Sequence, residues 1–268
     1  MKGLFSILIL LSIICVGCQF KMPANNKEEA DEGLFIERYD RLEYRYLTTG
    51  DFSALQEMNT EYPLETRTLL EEVIKLGEAT SPDINSRFLK FYQDTTLQAL
   101  ISAVEAEYAN MDDLNHELNR AFKRLKKALP DIVAPRVYAQ ISALDQSIVV
   151  GNEAIGISLD KYLGEDYPLY KKYYSLDQRK QMTRAYIISD CLSFYLMSIY
   201  PLNNFDTRPQ LERDLHVAKI QWVVNKVLSR HNFRSKYIDA VEKYMKNNPN
   251  TNYEELFRMT DFDAFEVV

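Results

Sequence analysis

The sequence predicts an α+β domain, mostly helical, in which helices flank one small antiparallel sheet. Three observations carry that reading. Glycine is scarce: 8 of 268 residues, about 3% against a usual ~7%. Apolar residues recur at helical spacing before residue 130 and again after Gly164. Between those stretches lies a short island rich in β-formers, which holds Gly151, Gly156 and Gly164. The order helices, sheet, helices excludes an alternating βαβ chain.

The elements follow in order. Leu34, Phe35, Tyr39, Leu42 and Tyr46 keep near-helical spacing until Gly50 stops the run. Short helices are expected over Phe52–Glu61 and Leu64–Leu76, the second closed by Gly77. Ser81-Pro82-Asp83 opens a longer helical stretch to about Ala109, broken near Asp94, and Asp112–Leu129 forms the next helix before Pro130. Val133–Ala143, Ser147–Val150 and Ala154–Leu159 read as strands, with a tight turn near Gly151. Helices resume over Leu176–Tyr200, Gln210–Arg230, Arg234–Asn247 and Tyr253–Met259.

Residues 1–18 read as a leader. Lys2 supplies the positive charge, and the apolar run Leu4–Val16 is long enough for secretion but too short to span a bilayer. The run ends in Cys15-Val16-Gly17-Cys18. A small residue before Cys at this place is the pattern of a bacterial lipobox, so cleavage after Gly17 and lipidation of Cys18 are expected. Cys15 stands where Leu is usual. The resulting organisation is a signal peptide over 1–17, a lipidated flexible tether over 18–32, and a single mostly helical domain over 33–268. The tether sequence, QFKMPANNKEEADE, is polar, acidic and without periodicity. Several acyl chains together give stable anchoring, because each buried methylene contributes ~0.8 kcal/mol. Only Cys191 then remains as a thiol, and no intramolecular disulfide can form.

A net charge of -7 argues against nucleic acid as a partner. Metal chemistry also finds little support. His116-Glu117-Leu118-Asn119-Arg120 begins like a zinc-protease helix, but Arg120 stands where the second His is required. His216 and His231 read as separate helical positions without paired carboxylates. No cofactor or metal site is expected. Gly151–Gly156 lacks the Lys-Ser/Thr of a phosphate loop, and no G-x-S-x-G elbow occurs.

The helix Arg184–Tyr200 is apolar nearly all round and should be buried. Ser189 and Ser193 lie one turn apart on it, and Asp190 is its only internal charge. A buried carboxylate needs a partner. The expectation is a hydrogen bond from a Tyr hydroxyl or a backbone N–H; the competing reading is a vestigial active site.

The segments Val137–Leu144, Ile155–Gly164 and Tyr186–Asp190 with Tyr200-Pro201 resemble the gliding-motility lipoprotein GldB family of Bacteroidota. The run Asp160-Lys161-Tyr162-Leu163-Gly164 with Tyr167-Pro168 is the most specific part. The resemblance covers roughly Leu114–Leu228. That family is in turn similar to zincin-type metallopeptidases, which implies a degenerate zincin-like arrangement. On that pattern Ser189-Asp190-Cys191-Leu192-Ser193 would occupy His-Glu-x-x-His. Two hydroxyls cannot hold zinc as imidazoles do, so no catalytic residues are expected. The resemblance implies a non-enzymatic lipoprotein of the cell envelope, facing the periplasm from the outer membrane. It would touch the membrane through the lipid on Cys18 and act through envelope proteins. The alternatives are a peptide- or glycan-binding module using a vestigial groove at Ser189, Asp190 and Ser193, or an unrecognised hydrolase.

Overall fold

A computed structural model describes residues 33–151 and 154–267. The expected signal peptide (1–17), the tether (18–32) and Cys18 lie outside the described residues. The compact unit spans Leu34–Val268. It is mostly helical with one four-stranded sheet, as expected, but the sheet is mixed rather than antiparallel.

The described residues open with a strand, β1 (Ile36–Glu37), where helical spacing had suggested a helix. Helix α1 (Tyr39–Thr49) buries the stripe Tyr39, Leu42, Glu43, Tyr46 and ends at Gly50, whose φ of 71° is the left-handed conformation that glycine adopts without strain. Next come α2 (Phe52–Glu61) and α3 (Pro63–Thr68), which runs into a π-helical turn at Leu69–Val73. The break expected near Asp94 is a helix boundary: α4 (Ile84–Phe91) ends, and the Asp94 carboxylate caps α5 (Thr95–Glu107) by accepting from the Thr96 and Leu97 amides. Helix α6 (Asp112–Ala128) buries Leu114, Leu118, Ala121, Phe122 and Leu125, one apolar stripe, with acids in its first turn and lysines in its last.

The sheet order is β1-β2-β4-β3, with β2 at Arg136–Gln140, β3 at Ile148–Val150 and β4 at Ala154–Ser158. β1 and β4 both run parallel to β2, and only β3 is antiparallel to its neighbour. β3 lies within the crossover between β2 and β4 that parallel pairing requires. Four consecutive residues of β2 and four of β4 are buried. A strand covered on both faces suits a parallel sheet. Gly156 sits opposite Tyr138, and the Tyr138 ring lies over it: a Cβ built there would stand 2.6 Å from the Tyr138 hydroxyl. Arg136 ties β1 and β2 to the helices. It pairs twice with Glu37, at 2.7 and 2.8 Å, and with buried Glu65 at 2.8 Å.

The expected Leu176–Tyr200 helix is divided. α7 (Pro168–Tyr173) precedes it, α8 (Leu176–Gln181) carries a Ser175–Gln178 capping box, and α9 runs Ile187–Ile199. The chain is extended at Thr183, which bridges to Leu163. α10 (Gln210–Leu228), α11 (Lys236–Asn247) and α12 (Tyr253–Arg258) complete the fold. α1 packs on β2, and α9 packs on β3, β4, α6 and α10.

Candidate functional site

The C-terminal ends of β2 and β4 feed a cluster of buried acids. Asp160, in the 3-10 turn Leu159–Lys161 that ends β4, is fully buried. Its carboxylate accepts from the backbone N–H of Ser142 at 2.9 Å and of Leu144 at 2.5 Å. Ala143 and Leu144 are held at φ 53° and 68°. Two successive left-handed non-glycine residues are costly, and here the carboxylate compensates by gathering the amides they turn inward. Lys161 and Tyr174 both donate to the Leu144 carbonyl, so the 142–144 loop is pinned from two sides. Burial raises the Asp160 carboxyl above its ordinary range, and the two amides pull it back.

Glu43 of α1 is also fully buried. One carboxylate oxygen accepts from the Ile141 amide at 2.7 Å. Burial pushes its pKa well up, with Asp40 and Asp160 adding like-charge repulsion. Glu43 was missed in the sequence, although it sits four residues after Tyr39 on the same apolar stripe of α1.

The expected site residues lie on α9. The Tyr162 hydroxyl donates to Asp190 at 2.8 Å, so the partner is a Tyr hydroxyl from the end of β4. Asp190 is half-buried rather than enclosed. Desolvation raises its pKa to about 7, against the opposing Tyr162 hydrogen bond. Ser189 is fully buried and accepts from the Asn232 side-chain amide, which also reaches the Ala185 carbonyl at 3.1 Å. Ser193 is 4% exposed, and its hydroxyl has no hydrogen-bond partner. Cys191 is buried, and its thiol is pushed up to about 12. α9 is less enclosed than expected, since Phe194 and Ile199 are exposed.

Ser189 and Asp190 are thus occupied by different partners, Asn232 and Tyr162. None of the three residues lines the cavities described below, so a groove at Ser189, Asp190 and Ser193 is not among them. An apolar cavity of about 540 Å³ adjoins the edge strand β3, between Val133, Pro135, Val150, Tyr195 and Ile199. A polar one of about 800 Å³ is lined by Lys180, Gln181, Tyr186, Gln221, Asn232 and Arg234. A third, of about 310 Å³, holds His216. His116 and Arg120 lie exposed on α6, while Glu117 pairs with Arg230 at 2.8 Å. His231 is in the loop after α10 rather than on a helix. Among the described residues, no group of three or more His, Cys, Asp or Glu side chains could hold a metal ion.

The profile of the family described as "Gliding motility protein GldB" matches residues 22–237, most of the chain. The chain belongs to the GldB family. The matched region contains β1 to β4, α9 and α10, and with them every residue of the acid cluster. No curated protein and no solved structure matches the chain. GldB membership gives a lipoprotein of the cell envelope, of the gliding-motility type.

Proposed function

We propose that this GldB-family protein is a non-enzymatic envelope lipoprotein that acts through protein partners. In this reading the lipid on Cys18 holds it to the outer membrane, facing the periplasm. The hydrogen bonding on α9 carries the proposal. On a degenerate zincin-like pattern, Ser189 and Ser193 would stand at the two metal-binding positions and Asp190 at the general base. Ser189 is tied to Asn232 and Asp190 to Tyr162, and a hydroxyl replaces each imidazole that zinc needs. The placement of α9 against β4 and the antiparallel edge strand β3 supports that pattern.

The test is cross-linking in native membranes, followed by affinity purification and mass spectrometry. Specific envelope proteins should co-purify, and should still do so with Asp190→Asn. Stoichiometric zinc that resists dialysis, or peptide hydrolysis by the purified protein, would overturn the proposal. The cavity lined by Tyr186, Gln181, Gln221 and Asn232 favours a second reading, binding of a glycan, because amides beside an aromatic ring suit sugar hydroxyls and C–H faces. Saturable binding of peptidoglycan fragments, lost in Gln221→Ala, would support it.

A further inference from the structure

One end of the sheet gathers exposed apolar side chains. The register puts Ile36 level with Val137 and Arg136 level with Ala154, so Phe35, Arg136 and Ala154 form a row across that end. The Gly151 amide donates to the Ala154 carbonyl at 2.9 Å in the same row. The apolar cavity of about 540 Å³ lies here. Val133 is 71% exposed and Phe35 55%, and Val150 and Ile199 of the cavity lining are exposed as well. Among the described residues, no charged side chain lines the cavity. Its two polar side chains are satisfied from within: the Tyr195 hydroxyl donates to the Val133 carbonyl, and the Ser198 hydroxyl donates to the Tyr195 carbonyl at 2.7 Å. Covering this end with hydrocarbon therefore strands neither hydroxyl. Exposed apolar patches of this kind mark interaction surfaces.

Two observations bear on what covers it. The first is where the chain enters. Leu34 stands at this same end of the sheet, 16 residues after Cys18. Sixteen residues span at most about 50–60 Å, so a lipid on Cys18 keeps this end within that distance of the bilayer. Anchoring makes a second contact intramolecular, and a contact too weak to hold a free domain then suffices. The second observation is charge. Lys126 and Lys127 lie in the last turn of α6 and are exposed. Lys126 donates to the Ile132 carbonyl at 2.9 Å, next to Val133. The stretch 126–135 holds these two lysines against one acid, Asp131. Lysines at the rim of an apolar patch suit anionic headgroups.

We propose that this end of the sheet, with Phe35, Val133, Val150 and Ile199, seats in the headgroup layer of an anionic lipid bilayer, the one that carries the Cys18 anchor. The inference rests on the lipidation of Cys18 proposed above. The apolar side chains enter the upper acyl region, and Lys126 and Lys127 meet the phosphates. The domain then stands on the membrane in one orientation, with the C-terminal ends of β2 and β4 turned away from it.

The test uses the chain from Cys18 onward, which holds the whole compact unit, coupled through the Cys18 thiol to a maleimide lipid. Cys191 is buried and its thiol is pushed up to about 12, so coupling is selective. The anchor is thus supplied chemically, and the result stands apart from lipidation of Cys18 in the cell, which mass spectrometry of the native protein decides. Vesicles of phosphatidylethanolamine and phosphatidylglycerol carry brominated acyl chains, which quench nearby Trp emission. The one native Trp, Trp222, gives a baseline common to all variants. Val133→Trp should add emission that the vesicles quench. Phe52→Trp should add emission that escapes quenching. Phe52 is 75% exposed and follows α1, which runs from beside Tyr138 past Ile141 toward the opposite end of the sheet. Ile199→Asp, at an exposed position, should abolish the quenching of Val133→Trp. Lys127→Glu, or phosphatidylcholine in place of phosphatidylglycerol, should reduce it. An unquenched Val133→Trp overturns the proposal, whether sedimentation then shows a second copy on this end or a monomer. Equal quenching of Val133→Trp and Phe52→Trp overturns it too. Quenching indifferent to phosphatidylglycerol overturns the assignment to anionic lipid.

Discussion

Asp190→Asn should make the protein more stable at neutral and alkaline pH. The Asp190 carboxyl titrates near 3.8 when unperturbed and near 7 in the fold. The fold therefore holds the neutral acid more readily than the carboxylate. The stability this group contributes is fully present below pH 3.8 and is lost as pH rises toward 7. About three pKa units correspond to ~4 kcal/mol at 1.36 kcal/mol per unit. Asp190 keeps some contact with water, so we take about half of that, ~2 kcal/mol. Asparagine keeps an oxygen that can accept the Tyr162 hydroxyl but carries no charge to desolvate. Chemical denaturation at pH 4 and pH 8 measures the difference. The variant should match wild type at pH 4 and exceed it by ~2 kcal/mol at pH 8, or ~4–8 °C in melting temperature. Asp190→Ala removes the acceptor as well and leaves the Tyr162 hydroxyl unpaired at a cost of ~1–3 kcal/mol. If Asp190→Asn is destabilising by the same amount at both pH values, the carboxylate is not desolvated and the reasoning fails.

Other outcomes can be measured with the same purified protein. Gly156→Ala places a methyl 2.6 Å from the Tyr138 hydroxyl, and the ring is boxed in by Tyr39 at 6.0 Å, so denaturation should show a loss of ~1–3 kcal/mol. Asp160→Ala leaves the Ser142 and Leu144 amides without their acceptor, and thermal melts should record a loss of ~2–4 kcal/mol. His216 is depressed to about 4 from 6.5. The unfolded chain takes up a proton first as pH falls, so stability from this residue is present above pH 6.5 and declines toward pH 4, by up to ~3 kcal/mol. His216→Gln should flatten that acid limb. Cys18→Ser should give an uncleaved or soluble protein; membrane fractionation unchanged by the substitution, together with mobility unaffected by globomycin, would refute lipidation there.

The helices were legible because their apolar stripes and caps are local signals: Asp94, expected as a break, is the N-cap of α5. Strands β2, β3 and β4 were also legible, but their pairing was not. Alternation between β-formers says nothing of which neighbour a strand chooses, and β4 is inserted between β2 and β3 by a crossover that contains β3 itself. β1 was hidden because Leu34 and Phe35 share spacing with the following helix. On α9, one odd charge among apolar residues was enough to foresee that Asp190 has a partner, a Tyr hydroxyl or a backbone N–H, and the structure supplies the Tyr162 hydroxyl. Ser189's partner, Asn232, comes from a loop 43 residues away, and no spacing rule reaches that far. The burial of His216 was similarly invisible, since it depends on α12 packing over α10.

The join between β1 and β2 also sets an order in time. The Glu37–Arg136 pair closes a separation of 99 residues, and the Glu43 carboxylate meets the Ile141 amide across 98. A chain delivered from its N-terminus cannot complete either contact until residues 136–141 have emerged. β1 and α1 must wait, with Glu43 still in water and Tyr39 uncovered. Closing so long a loop is slow because the entropy is lost before the contacts form. The rate-limiting event of folding should therefore be the docking of β1 and α1 onto β2, and substitutions at Arg136 should slow refolding more than they speed unfolding.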